Sequence, residues 1–197
     1  MRLICLTPLM LLAGCGGAAT DSAPESLYFE RLSSLCNGNA YAGALVSDDA
    51  VDADFKSATM IMGPATCDGL IVRIPFAVDE NRSRTWVITR TENGLRLKHD
   101  HRHEDGSADV LTQYGGDSRA NGTAGRQDFP VDDETRTLFI AQEIEVSTQN
   151  TWTVEIEPGE MFTYQMSRPE RQFRVEFDLT EPVDAPPPPW GEVPIAE

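Results

Sequence analysis

The chain has 197 residues, 40% of them hydrophobic, with 32 acidic residues against 16 basic ones and a formal net charge of −16. That length suits one modest domain with enough material to bury a core. So acidic a surface repels nucleic acid and anionic lipid alike, which excludes a nucleic-acid partner; a solvated face that keeps the protein soluble explains the charge without invoking a site for cations.

At the N-terminus, Arg2 precedes an apolar run from Leu3 to Leu12 broken by Thr7 and Pro8. The run is too short to span a bilayer and reads as a signal segment over residues 1–14. Leu12-Ala13-Gly14-Cys15 behind it resembles the lipobox of bacterial lipoproteins. The resemblance implies cleavage before Cys15, lipidation of that cysteine and a membrane partner through the acyl anchor. Gly16 follows without the aspartate that retains many such proteins in the inner membrane, so it implies the outer membrane, facing the periplasm. Residues 15–21 are then a tether, 22–180 a single β domain opened by a helix, and 181–197 a Pro-rich tail.

Cys5 would leave with the signal and Cys15 would carry lipid, which leaves Cys36 and Cys67 as an even pair. In an oxidising compartment they are expected to form a disulfide. Ser22 and Glu25 have capping-box spacing with Pro24 in the first turn, and Tyr28, Leu32, Leu35 and Cys36 share one helical face, followed by the stop Asn37-Gly38. This helix is expected to be a lid or plug.

Beyond it the hydrophobic period changes to two. Strands are predicted near 40–47, 58–63, 69–78, 84–91, 95–103, 108–114, 151–157, 161–167 and 172–179. The clearest is the last, where Phe173, Val175, Phe177 and Leu179 alternate with polar residues, and it forms a hairpin with Phe162, Tyr164 and Met166. Trp152, Val154 and Ile156 add a third strand. The fold class is all-β, an antiparallel meander closing as a lipocalin-like barrel or a sandwich, with the barrel preferred because it removes exposed edges.

Two turn signals, Asn93-Gly94 and Asp105-Gly106, allow a register to be written for the middle of the chain. Taken as two-residue loops, they set Ile88 opposite His99, Trp86 opposite His101, Arg84 opposite His103, and Arg102 opposite Asp109 as a cross-strand ion pair. His99, His101 and His103, the chain's three histidines, then share a face with Leu95 and Leu97, while Arg96, Lys98, Asp100 and Arg102 point the other way.

His-x-His on a strand is a usual opening for a transition-metal site, so His99, His101 and His103 are the metal candidates. Adjacent members lie about 6.7 Å apart and the outer two about 13 Å, from the strand rise. One ion takes a pair readily but not all three, and no third ligand is at hand, so rim histidines packed on Trp86 and Thr112 are the preferred reading and no cofactor is expected. Gly116-Asp117-Ser118 and Asp100-x-x-His103 are similar to the blocks of GDS-type esterases, but in reversed order and on a β hairpin. Asp48 to Asp54 lacks the glycine of a calcium loop and reads as a solvated turn. Gly115 to Gln127 is a glycine-rich loop without the lysine of a phosphate cradle. Pro186 to Pro189, ending in Trp190-Gly191, reads as a polyproline-II tail, either a strap or a disordered end, rather than a ligand for a partner groove.

The block Leu97-Lys98-His99-Asp100-His101-Arg102-His103-Glu104-Asp105-Gly106, with Phe173 to Leu179 and the Trp190-Gly191 end, resembles a group of proteobacterial secreted proteins to which no activity is assigned. A more generic likeness, Leu32 to Cys36 followed by Tyr41-x-Gly43, resembles the start of lipocalin-like barrels and implies a small apolar ligand. The leading expectation is a monomeric binding or structural module rather than an enzyme, its interior lined by Trp86, His99, His101, His103 and Tyr114, with Trp152, Phe162 and Tyr164. The alternatives are an envelope scaffold using the Pro-rich tail and, third, a metal-dependent enzyme.

Overall fold

A computed structural model of the chain describes residues 23–119 and 122–192. The signal segment, Cys15 and its tether, Ser22, and the last five residues lie outside the described residues. In chain order the elements are α1 (Pro24–Ser33), β1 (Ala40–Leu45), a 3₁₀ turn (Ala50–Lys56), β2 (Met60–Met62), β3 (Thr66–Asp68), β4 (Ile71–Val78), β5 (Asn81–Thr91) and β6 (Gly94–His101). There follow β7 (Tyr114–Asp117), β8 (Arg126–Pro130), α2 (Asp133–Ala141), a second 3₁₀ turn (Glu145–Gln149), β9 (Thr151–Glu157), β10 (Met161–Arg168) and β11 (Arg171–Val183).

All the strands join one antiparallel sheet in the order β7-β6-β5-β4-β2-β1-β11-β10-β9-β8, with β3 on β4. The sheet curls into a nearly closed barrel. Its seam lies between β7 and β8, where Arg119 N–H donates to the Asp128 carbonyl at 3.1 Å and Asp132 N–H to that of Gly115 at 3.1 Å. The buried Thr135 hydroxyl locks the same place, accepting from Gly115 N–H at 2.8 Å and donating to the Gly115 carbonyl at 2.9 Å. Gly115 and Gly116 make this approach possible. A Cβ on Gly115, whose φ is +155°, would collide with the Leu97 carbonyl, and one on Gly116 with that of Pro130. The glycine-rich stretch is therefore a barrel seam, with a strand at each end of it.

The period-two pattern sets what faces inward. Val72, Ile74 and Phe76 of β4, Trp86 and Ile88 of β5, Leu95 and Leu97 of β6, Trp152, Val154 and Ile156 of β9, and Val175, Phe177 and Leu179 of β11 are all buried. Charges predicted to face out do so, Arg96 pairing with Asp117 and Lys98 with Asp132 and Glu134. One end of the barrel is stopped by α1, whose Tyr28 and Leu32 are fully buried, with the Tyr28 hydroxyl donating to the Val154 carbonyl at 3.3 Å. Its N-cap is Ala23 rather than Ser22, with no side-chain cap. The Cys36–Cys67 disulfide ties the segment after this plug to β3, closing a sequence separation of 31 residues. On a chain-entropy argument such a loop is worth about 3 to 4 kcal/mol.

The register differs from the one read in the sequence. Thr91 pairs with Gly94, so the loop residues are Glu92 and Asn93; Trp86 then faces His99, and Arg84 faces His101. The slip is two residues, which keeps every side chain on its predicted face. Of Asn93 and Gly94 only Gly94, the first residue of β6, has positive φ, +129°, and the Thr91 hydroxyl donates across the turn to the Gly94 carbonyl. The second hairpin departs further. Arg102 bridges Ala108, and the chain then loops out until Gln113, at φ +56°, returns it to β7 with Tyr114 opposite His99. No strand forms over 108–113. Asp109 instead accepts from Leu111 N–H at 2.7 Å, and Arg102 binds Asp100 and the Gly106 carbonyl, so the Arg102–Asp109 pair does not exist.

Candidate functional site

At the end of the barrel opposite α1 the interior stays open. A cavity of about 350 Å³ lies between β4, β5, β6, β9, β10 and β11, lined by Phe76, Trp86, Trp152, Tyr164, Met166 and Phe173. The two 3₁₀ turns, α2 and the 107–113 loop form its mouth through Phe55, Ile144, Ser147, Phe139 and Leu111. This volume lies in the range of small-molecule sites, and aromatic walls with few convergent polar groups are their usual composition. The wall is stiff: Trp86 stacks between Phe76, at 4.8 Å, and Tyr164, at 4.3 Å.

The histidine run crosses this wall. His99 is buried, its ring stacked at 4.4 Å on Tyr114. Its Nδ1 lies 3.0 Å from the Tyr114 carbonyl and its Nε2 2.8 Å from the Tyr164 hydroxyl. A carbonyl only accepts, so Nδ1 carries the proton and Nε2 accepts from Tyr164. Burial brings the His99 pKa down to about 3, so the ring is neutral at ordinary pH. His101 lines the cavity proper, its Nε2 3.2 Å from the Tyr114 hydroxyl. Burial first, then the neighbouring Arg84 cation, bring its pKa to about 4.

Of the predicted lining residues, Trp86, His99, His101, Tyr114, Trp152 and Tyr164 line this cavity, whereas Phe162 is fully buried in the core. His103 does not line it either; it stands outside the mouth with its side chain 57% exposed, 3.9 Å from Asp109. Nor do the histidines converge on one point. The His99 and His101 ring centroids are 6.4 Å apart, whereas two imidazoles sharing a zinc ion must bring their nitrogens within about 2.0 to 2.1 Å of it. Both His99 nitrogens are already engaged. Among the described residues no cluster of three or more His, Cys, Asp or Glu side chains could hold a metal ion.

Two arginines stand at the mouth: Arg84, which the sequence placed on the histidine face, and Arg171, which it did not single out. Arg171 is held by two carboxylates: its Nη1 is 2.9 Å from Asp49 and 2.6 Å from Asp52, and its Nη2 2.6 Å from Asp52. Asp52 is only 4% exposed, so the acidic run read as a solvated turn is in fact a clamp. Arg84, inward on β5 beside His101, makes no ion pair among the described residues. Its guanidinium donates at 3.1 Å to Asn81 Oδ1. Burial lowers its pKa from the usual value. The parity that placed Trp86 inside also placed Arg84 inside, which was the available signal.

The Pro-rich tail lies on the molecule. Arg82 Nη1 donates to the Pro188 carbonyl at 2.7 Å, Trp190 N–H donates to the Arg82 carbonyl at 3.1 Å, and Gly191 packs on Gly106. It is a strap along the start of β5 ending at the 102–106 turn.

Fold and cavity together define an antiparallel barrel that encloses an aromatic-walled chamber open at one end. Compared with protein-family models, curated proteins and solved structures, the chain finds no match.

Proposed function

We propose that the chain is an envelope lipoprotein whose barrel binds a small, largely apolar molecule. The observation that carries this reading is the cavity itself. A barrel packed densely at the α1 end leaves about 350 Å³ open at the other, walled by Trp86, Trp152, Tyr164 and Phe173. Interiors are normally filled to crystal-like density, so an aromatic chamber of this size is a costly omission unless something occupies it. The lipobox-like Leu12-Ala13-Gly14-Cys15 supports an acyl anchor at Cys15 and a periplasm-facing position on the outer membrane. The Cys36–Cys67 disulfide is consistent with an oxidising compartment. The barrel would then stand on its tether as a monomer.

The test is a fluorescence titration with phenylnaphthylamine, a neutral fluorophore that brightens in apolar surroundings. Wild type should show a saturable single-site rise, and Leu111→Trp, which fills the mouth, should lose it while melting like wild type. An unsaturable signal, or one indifferent to Leu111→Trp, would mean the probe finds only surface patches.

A further inference from the structure

The charges of this cavity are unevenly placed, and their separation has a direction. Its charged side chains are Asp52, Arg171 and Arg84. Arg171 is clamped by Asp52, with Asp49 adding a third carboxylate oxygen, so that corner carries one negative charge more than positive and has nothing to offer an incoming anion. Arg84 has no such partner. Its neighbours are the neutral His101, directly opposite in register, the neutral hydroxyl of Tyr114, whose pKa burial raises, and Asn81. A chain with twice as many acidic as basic residues had carboxylates to spare, yet none within 4.0 Å of Arg84 was found among the described residues.

A guanidinium partly withdrawn from water without a counter-charge is unfavourable in the empty protein, and a fork of N–H donors matches the paired oxygens of a carboxylate or a phosphate. From this the geometry points to an amphipathic monocarboxylate as the ligand, its head on Arg84 and its apolar body among Trp86, Tyr164 and Trp152. This inference rests on the cavity being a ligand site. One guanidinium favours a single negative charge: a second would meet no cation here, because Arg171 is committed, and would face the carboxylates of Asp49 and Asp52. His101 and Tyr114, joined by their own 3.2 Å hydrogen bond, stand beside the head as neutral polar neighbours.

The test compares two probes of equal shape, naphthoate and the neutral naphthalenemethanol, titrated calorimetrically at pH 7 into wild type, Arg84→Met and Arg84→Lys. Wild type should bind naphthoate tighter by on the order of tenfold or more, as a charge-assisted hydrogen bond implies. Arg84→Met should reduce naphthoate to parity with the alcohol, while Arg84→Lys keeps a preference for the anion. Equal affinities in wild type, or a preference that survives in Arg84→Met, would overturn the head-group assignment and leave the cavity reading intact. If neither probe binds wild type, the cavity reading falls and this one with it. Should Arg84→Met fail to fold, Arg84→Lys decides: a retained preference upholds the assignment, and parity overturns it.

Discussion

The two ends of the barrel are built by opposite rules. At the α1 end Tyr28, Leu32, Leu97 and Ile156 close the interior with almost no accessible surface, and a disulfide pins the segment beside them. At the mouth the same sheet carries a cavity, neutral histidines and an arginine with no ion-pair partner among the described residues. A sheet of uniform pattern thus becomes a scaffold at one end and a site at the other. Stability comes from filling space, whereas binding requires leaving some of it empty.

The comparison is sharpened first by truncation. Leu97→Ala, in the filled half, should cost about 2 to 5 kcal/mol in urea denaturation. Leu111→Ala, at the mouth and already beside open space, should cost under about 1 kcal/mol. Similar losses at both ends would erase the distinction. The two arginines should separate next. Arg171→Met strands Asp52 in a buried position and should cost about 2 to 3 kcal/mol, whereas Arg84→Met removes an unmatched cation and should leave the free protein as stable or up to about 1 kcal/mol more so. A melting point lowered equally by both would show that Arg84 is a structural residue.

Acid should attack the mouth end next. His99 has a pKa of about 3 in the folded protein, below the ordinary value of 6.5, so the unfolded chain binds its proton first. Stability is therefore complete above about pH 6.5 and falls as the pH drops towards 3, with a slope of up to about 1.4 kcal/mol per pH unit for this histidine. His99→Gln should be less stable at pH 7 but should lose one proton's worth of that slope between pH 6 and 5. An unchanged slope would place the acid sensitivity elsewhere.

Much of this architecture was legible in the chain. The alternation of Phe173, Val175, Phe177 and Leu179, the Phe162 to Met166 hairpin partner and the Cys36–Cys67 pair each rest on a local pattern that survives folding. Face was legible where register was not, because a two-residue slip at Asn93-Gly94 preserves parity. Less visible were features set by tertiary context. Strand β8 is short, ends in Pro130 and adjoins the seam glycines, so its pairing depends on β9 beside it. Helix α2 did leave a signal, since Asp132 accepts from Thr135 N–H at 2.8 Å and Asp133 and Glu134 fill its first turn. The role of Asp52 left none, because its partner Arg171 lies 119 residues away. Arg84 could be placed indoors from its parity, but its lack of a counter-ion is visible only once every neighbour is in place.

The claim at the centre, that the open end is a ligand site and the remainder is scaffold, can be read from three indole N–H signals. The chain has three tryptophans: Trp86 and Trp152 in the cavity wall, and Trp190 in the strap. With nitrogen-15 labelled protein and saturating naphthalenemethanol, the indole resonances of Trp86 and Trp152 should shift or broaden while that of Trp190 stays in place. Movement of Trp190 alone, or no movement at the cavity pair when the probe is saturating, would contradict the account.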